Sequence, residues 1–200
     1  MEIIVNAFFS KHNPEIMVGS FLGVGYLYNH NHTFNATIGK GQEISKTIDE
    51  FINHNAICQR SMCLLSPKAK KYGNTILRLY YDHLLAKNWT NYSEISYENF
   101  CIEIVSILKS HNSLFPYKPK RMANRIIKKN TILNIQTING LFEYIQEMTR
   151  YNSYNATITE SIGDLVKNYD SFNRDFEEVF PLIEQSLSNK IEKINFDLVS

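Results

Sequence analysis

The sequence predicts an all-α protein. Apolar residues recur at the three- and four-residue spacing of helices along most of the 200 residues. Strand-like alternation of apolar and polar residues between turns is hard to find. Helix-start signals, a small polar residue followed by proline, stand before two of the predicted helices. We expect one compact helical bundle over residues 1–200, because this length suffices for a single domain.

The first long helix is expected over residues 13–28. Asn13 is the predicted cap, and Pro14 and Glu15 occupy the first turn. Glycine costs a helix about 1 kcal/mol relative to alanine, and this helix contains three, Gly19, Gly23 and Gly25. Either the helix lies unusually close to another helix, or the glycines leave room for a ligand beside the backbone.

Two amphipathic helices are predicted next. In 41–57 an apolar stripe runs beside a polar stripe that contains Ser45 and Asp49, four residues apart. The segment 66–89 begins with the helix-start pair Ser66 and Pro67. It ends in "YYDHLLAKNW", which places an acid and an imidazole side by side.

The second half of the chain continues the helical pattern. Ser96 is the predicted cap of "YENFCIEIVSILKSH", and a break with two prolines follows at 112–121. Further helices are expected over 137–150 and 159–187, with Pro181 starting or kinking the last one.

The sequence is typical of a cytoplasmic protein. Three cysteines form no C-x-x-C pair, which favours a reducing compartment: Cys58, Cys63 and Cys101. The beginning "MEIIVNAFFSK" lacks the basic region of a signal peptide. No apolar run approaches the ~18 to 20 residues of a membrane span, so none is expected.

Charge is unevenly distributed although the net charge is +1. Formal charge is −2 over residues 1–59, +9 over 60–130 and −6 over 131–200. The basic middle favours an anionic partner, or it packs beside the acidic end. Nucleic acid is not expected as the partner, because only Tyr72 and Tyr117 interleave with the basic clusters.

Asp82 and His83 are the first candidate site. An Asp-His pair supplies two metal ligands, but a catalytic centre needs more from other helices. The structural alternative pairs Asp82 with Arg78 and has His83 donate to a neighbouring backbone carbonyl. Ser45 is a second candidate, although a serine nucleophile needs a base such as His83 brought near by folding. Neither a G-x-S-x-G elbow nor a phosphate-binding glycine loop is present.

Six segments follow the order of a known family pattern. "MEIIVN" stands where that family has M-N-F-L-A-H, "VGSFLGVG" where it has G-N-x-x-A-D-F, and "KGQEISKTID" where it has K-G-x-x-x-H-R-x-I-D. "YDHLLAKNW" fits Y-D-H-F-L-A-[KR]-x-W throughout, and "MTRY" and "FEEVFPLI" resemble the later M-S-R-R and F-F-P-x-L pieces. Over about residues 1–187 the chain therefore resembles the acyl carrier protein phosphodiesterases.

The resemblance implies a helical fold like that of the His-Asp metal phosphohydrolases. It also implies a partner, the acyl carrier protein with its 4′-phosphopantetheine arm, and removal of that arm as the reaction. In this family a divalent cation, often Mn²⁺, activates water against the phosphodiester. A retained metal site would consist of Asp49, Asp82 and His83.

The chain departs from the family pattern where metal ligands or their neighbours are expected. Its residues at these places are Asn6, Val24, Ser45 and Lys46. Valine cannot ligate a metal, and a serine hydroxyl is a poor substitute for imidazole. The retained residues are Asp49, Asp82, His83, Lys87 and Trp89. We therefore expect no metal cofactor.

Three functions are compatible with this pattern. The first is a metal-independent reaction on a carrier-tethered acyl chain, with His83 as general base or acid oriented by Asp82 or Asp49. Ser45 or Asn6 would donate hydrogen bonds. The second is carrier binding without catalysis, and the third is a phosphodiesterase with a rebuilt site. The catalytic candidates are His83, Asp82, Asp49 and Ser45. The predicted substrate-binding residues are Asn6, Lys46, Tyr80, Lys87, Lys118, Lys120 and Arg121.

Overall fold

The regular structure of the chain is helical. The computed structural model describes residues 3–23, 34–150 and 155–197, and every regular element within those ranges is a helix, so the predicted all-α class is confirmed. The α-helices are α1 (Ile4–Phe9), α2 (Pro14–Gly23), α3 (Ala36–His54), α4 (Ala56–Cys63), α5 (Pro67–Lys70), α6 (Gly73–Lys87), α7 (Tyr97–Ser110), α8 (Tyr117–Lys129), α9 (Ile138–Thr149), α10 (Asn155–Glu160), α11 (Ile162–Lys167) and α12 (Tyr169–Asp197). Short 3-10 helices are η1 (Trp89–Asn91), η2 (Asn112–Leu114) and η3 (Leu133–Gln136).

Several predicted helices are divided in the structure. The helix expected over 41–57 begins earlier, at Ala36, and ends at His54. Asn55 then starts α4, most of which lies beyond the predicted helix, by accepting a hydrogen bond from the Ile57 amide at 2.8 Å. The segment 66–89 forms α5, α6 and η1, and 159–187 contributes to α10, α11 and α12. Apolar periodicity continues across these turns, so it does not mark where the chain changes direction.

The capping residues at helix starts were predicted more accurately than the helix lengths. Asn13 accepts from the Ile16 amide at 3.1 Å, and Ser96 accepts from the Asn99 amide at 3.2 Å. Ser66 precedes α5 but its side chain makes no capping bond. The break at 112–121 is shorter than predicted because α8 already begins at Tyr117. Pro181 lies inside α12 and does not start the last helix.

Glycines allow α2 and α3 to lie in backbone contact. A Cβ added at Gly19 would lie 2.0 Å from the carbonyl oxygen of Ile38, and one at Gly41 would lie 2.0 Å from that of Ile16. Both distances are far below van der Waals contact. Close helix contact is therefore the reason for Gly19, while Gly25 lies outside the described residues.

Aromatic side chains join the helices in the core. Trp89 stacks at 4.5 Å on Phe100 of α7 and meets Phe8 of α1 at 5.7 Å. Phe180 of α12 packs on Phe9 at 5.1 Å. These offset and edge contacts stabilise more than their buried area alone. The aromatic cluster fixes the end of α6 against the first, seventh and last α-helices.

Part of the basic middle of the chain does pack against the acidic end. Arg60 donates to Asp175 at 3.1 Å through Nε and to Glu178 at 3.0 Å through Nη2. Lys129 pairs with Glu147. The interpretation that the opposite charges neutralise each other internally is therefore correct for these residues.

The cysteines are free, and two of them are buried. Burial raises the pKa of Cys58 to about 11 and that of Cys101 to about 12, so both thiols stay protonated at neutral pH. The reducing compartment and the cytoplasmic location remain predictions. Among the described helices, none has both the length and the apolar character needed to span a bilayer.

Candidate functional site

Asp82 is buried on α6 and caps a different helix. Its Oδ2 accepts from the Ile3 amide at 2.7 Å, and its Oδ1 accepts from the Val5 amide at 2.9 Å. These amides belong to the first turn of α1, where backbone N–H groups have no intrahelical partner. Residue Ile3 itself provides no side-chain cap. A carboxylate from elsewhere in the chain thus supplies the hydrogen bonds and the negative charge that this helix start favours.

His83 is buried next to Asp82 but faces other elements. Its Nδ1 lies 2.6 Å from the carbonyl oxygen of Ile135 in η3, and its Nε2 lies 3.0 Å from the hydroxyl of Tyr169. A carbonyl only accepts hydrogen bonds, so Nδ1 carries the proton and Nε2 accepts from Tyr169. His83 does donate to a backbone carbonyl as predicted, although that carbonyl lies 52 positions away in the chain. Tyr169 was not predicted, and no local spacing connects it with a residue 86 positions earlier.

Burial lowers the pKa of His83 from 6.5, and the nearby charge of Lys87 lowers it further. The imidazole is therefore neutral at pH 7. The hydrogen bond to Ile135 acts in the opposite direction without cancelling the effect of burial. A neutral ring with one fixed tautomer is available as a proton acceptor at Nε2.

This lowered pKa predicts a pH-dependent stability. As pH falls below about 6.5, the unfolded chain takes up a proton at His83 that the folded protein does not bind, so the free energy of unfolding should decrease. Above about pH 6.5 His83 is neutral in both the folded and the unfolded chain, so its contribution to stability is fully present. Urea unfolding at a series of pH values should show this decrease, and His83→Gln should reduce it. His54→Gln, at an exposed position, is the control; an unchanged profile in His83→Gln would contradict the prediction.

Asp49 and Arg78 form an ion pair between α3 and α6. Arg78 Nη1 lies 2.8 Å from Asp49 Oδ1, and both side chains are partly buried. Asp82 accepts hydrogen bonds from two amides of α1. The sequence-based alternative had assigned Arg78 to Asp82, so the choice between two acids near one arginine required the fold. Asp49 thereby joins α3 to α6.

The residues that replace the expected metal ligands lie in packed surroundings. Ser45 is buried against the end of α2. A Cβ added to Gly23 would lie 2.6 Å from the Cβ of Ser45. Among the described residues its hydroxyl has no hydrogen-bond partner. Asn6 is buried in α1, Lys46 is half-buried in α3, and Val24 lies outside the described residues.

A small cavity lies beside Asn6 between α1, α2 and α7. Its volume is about 10 Å³, and its lining is almost wholly apolar except for Asn6 and Ser20. A cavity of this size holds about one water molecule. It is too small for the ligand that the glycines of the helix predicted over 13–28 could have admitted.

The retained candidates do not converge as a metal site requires. Asp82 faces α1, His83 faces η3 and α12, and Asp49 faces Arg78. Within residues 3–23, 34–150 and 155–197, no group of three or more His, Cys, Asp or Glu side chains is placed to hold a metal ion. A divalent cation needs several such ligands around one point. The described residues therefore do not fit the cation that the resemblance implied.

The predicted substrate-binding residues separate into buried and exposed groups. Tyr80 is fully buried and donates to the carbonyl oxygen of Ser161, which favours a structural role. Lys87 is exposed at the end of α6. The cations of α8 are exposed on one stretch of helix: Lys118, Lys120 and Arg121. Folding does not bring the α8 cations into the surroundings described for His83.

These features define an all-helical protein built around a buried Asp-His pair on one central helix. The family model for acyl carrier protein phosphodiesterase matches residues 1–183, and the chain belongs to this family. No curated protein and no solved structure matches the chain. The resemblance inferred from the motifs is thereby confirmed.

Proposed function

We propose that the protein binds a phosphopantetheinylated acyl carrier protein and carries out a metal-independent reaction on the tethered acyl chain. Membership of the acyl carrier protein phosphodiesterase family is the observation that carries the choice of partner. The metal-independent part is supported by the contacts of Asp82 and His83, which are directed to separate elements. The exposed cations of α8 support an acidic partner.

Proton transfer is proposed for His83 together with Tyr169. A base fixed by a third group, and in hydrogen-bond contact with a hydroxyl, is the arrangement that general base catalysis uses. Here the carbonyl of Ile135 orients the imidazole, the role that sequence analysis assigned to Asp82 or Asp49. His83 is buried whereas Tyr169 is half-buried at the start of α12. The substrate would therefore contact Tyr169, and His83 would act through its hydroxyl.

Lys87 is proposed to attract the phosphate of the arm. It is exposed, and its charge acts on His83 from the end of the same helix. A lysine ammonium binds phosphate as a point charge without demanding a fixed geometry. The anionic arm and the proton-transfer pair would then meet at one end of α6.

Mass spectrometry of carrier protein after incubation tests this function. Holo and acylated carrier are each incubated with the protein, and binding of holo and apo carrier is measured alongside. We expect binding that prefers the arm-bearing forms and a mass change confined to the acyl chain. Loss of the whole phosphopantetheinyl group would identify a phosphodiesterase. Binding without any mass change would identify a non-catalytic carrier-binding protein.

Variants of the proton-transfer pair test the assigned residues in the same assay. Tyr169→Phe removes the hydroxyl and leaves the ring, and we expect turnover to fall by about 10²–10⁴-fold, the usual contribution of general acid–base catalysis. His83→Gln should have an effect of similar size. Tyr72→Phe, at a half-buried tyrosine before α6, is the matched control. Wild-type turnover by Tyr169→Phe would exclude the assigned role.

A further inference from the structure

The strongest unexplained surface of the molecule lies where η2 leads into α8. Tyr117 is 72% exposed, more than any other large apolar side chain of the described residues, and Leu114 is 47% exposed. Single exposed apolar residues are common on protein surfaces. Two of them beside three exposed cations, however, have the composition of a binding surface, with an apolar centre and a charged rim.

Contacts with the core and a hydrogen bond between side chains fix the backbone of this surface. Phe115 lies between the two exposed residues, is buried, and packs against Phe21 of α2 at 5.2 Å. Asn112 Nδ2 donates to Asn124 Oδ1 at 2.9 Å, which ties η2 to α8. A surface that is already ordered loses little conformational entropy when a partner binds.

Arg121 orders the exposed tyrosine. Its guanidinium lies 5.5 Å from the centre of the Tyr117 ring, one helical turn away. This is the distance of a cation–π contact. Tyrosine and arginine are the residue types most often found at the energetic centre of interfaces.

The chain segment that carries this surface has charges of one sign. Residues 104–142 contain seven Lys or Arg and no Asp or Glu. In the second half of α8, Arg125 donates to the backbone carbonyl of Glu147 at 3.1 Å and Lys129 pairs with its carboxylate. In the first half of the helix Lys118, Lys120 and Arg121 are exposed, and their positive charge fits an acidic partner.

We infer that Leu114, Tyr117, Lys118, Lys120 and Arg121 form a docking surface for an acidic face of the carrier protein, with Tyr117 as its apolar anchor. The inference rests on the proposed function for the identity of the partner. Carboxylates of the carrier would meet the three cations while an apolar side chain packs on the tyrosine ring. Electrostatic attraction would mainly raise the association rate, and the apolar contact would slow dissociation.

Binding of purified holo carrier protein to variants tests this surface. Tyr117→Ala should weaken binding by about thirtyfold or more, because interface anchor residues cost at least about 2 kcal/mol when truncated. Lys118→Glu combined with Lys120→Glu should weaken it and reduce its dependence on salt. Circular dichroism verifies folding, which is expected to be unaffected because these side chains are exposed.

Matched controls separate this surface from other exposed residues. Val166→Ala changes an apolar side chain that is 56% exposed on α11. Lys68→Glu with Lys70→Glu makes the same charge change on α5. Wild-type affinity in Tyr117→Ala, or an equal loss in the α5 variant, would overturn the docking surface while leaving carrier binding intact. Absence of carrier binding by the wild type would overturn the proposed function and this surface with it.

Discussion

Replacing Asp82 by alanine is expected to lower the free energy of unfolding by about 2–6 kcal/mol, the cost of leaving two buried donors unsatisfied. The carboxylate accepts from two backbone amides at the start of α1, at 2.7 and 2.9 Å. Alanine would leave both donors buried without these acceptors, and each unsatisfied group costs about 1–3 kcal/mol. Urea denaturation followed by circular dichroism measures the change.

Two controls distinguish the capping role of Asp82 from a surface charge effect and from metal binding. Asp170→Ala removes an exposed carboxylate from the first turn of α12, where a helix start gains only about 0.3–1 kcal/mol from the charge. Adding Mn²⁺ should leave the stability of the wild type unchanged. A cost below about 1 kcal/mol for Asp82→Ala would contradict the capping role. Stabilisation by Mn²⁺ that Asp82→Ala abolishes would show that the carboxylate is a ligand after all.

Replacing Gly41 by alanine is expected to destabilise the protein by about 3 kcal/mol, at the upper end for overpacking in a core. The added Cβ would lie 2.0 Å from the carbonyl oxygen of Ile16 and 2.6 Å from the Ser20 nitrogen. Both atoms are backbone, so α2 and α3 would have to separate along their contact. The free energy of unfolding in urea is again the measurement.

Gly39 provides a matched control two residues away in α3. A Cβ there would meet no atom within 4 Å. Gly39→Ala should therefore stabilise the helix by about 0.5–1 kcal/mol, since alanine loses less backbone entropy. Equal effects of the two substitutions would show that the close contact between α2 and α3 does not limit stability.

Family membership alone would lead us to expect a metal centre in this chain, whereas the described contacts of the retained residues do not form one. The family model covers residues 1–183, whereas the Asp-His pair connects helices and is not directed to a common point. Retained motif residues can thus be explained by the fold itself. Where Asp82 caps α1 and His83 joins η3 to α12, each has a structural reason to persist without the expected metal.

Periodicity and end signals were sufficient for the fold class but not for the helix boundaries. The 3–4 spacing of apolar residues predicts helices because it places them on one face. Asn13 and Ser96 were recognised as caps because capping is local. The helix expected over 41–57 instead ends at His54, and most of α4 (Ala56–Cys63) lies where no helix was predicted.

The sequence alone determined that the chain is helical, that its motifs are those of one family, and that positive charge collects in the middle. All three are properties of composition or of neighbouring residues. Only the tertiary structure decided what Asp82 and His83 contact, because their partners lie 79 and 86 positions away. It also selected Asp49 as a partner of Arg78 and identified Tyr117 as an exposed residue. Such choices depend on how helices pack, and packing brings together residues whose separation along the chain carries no signal.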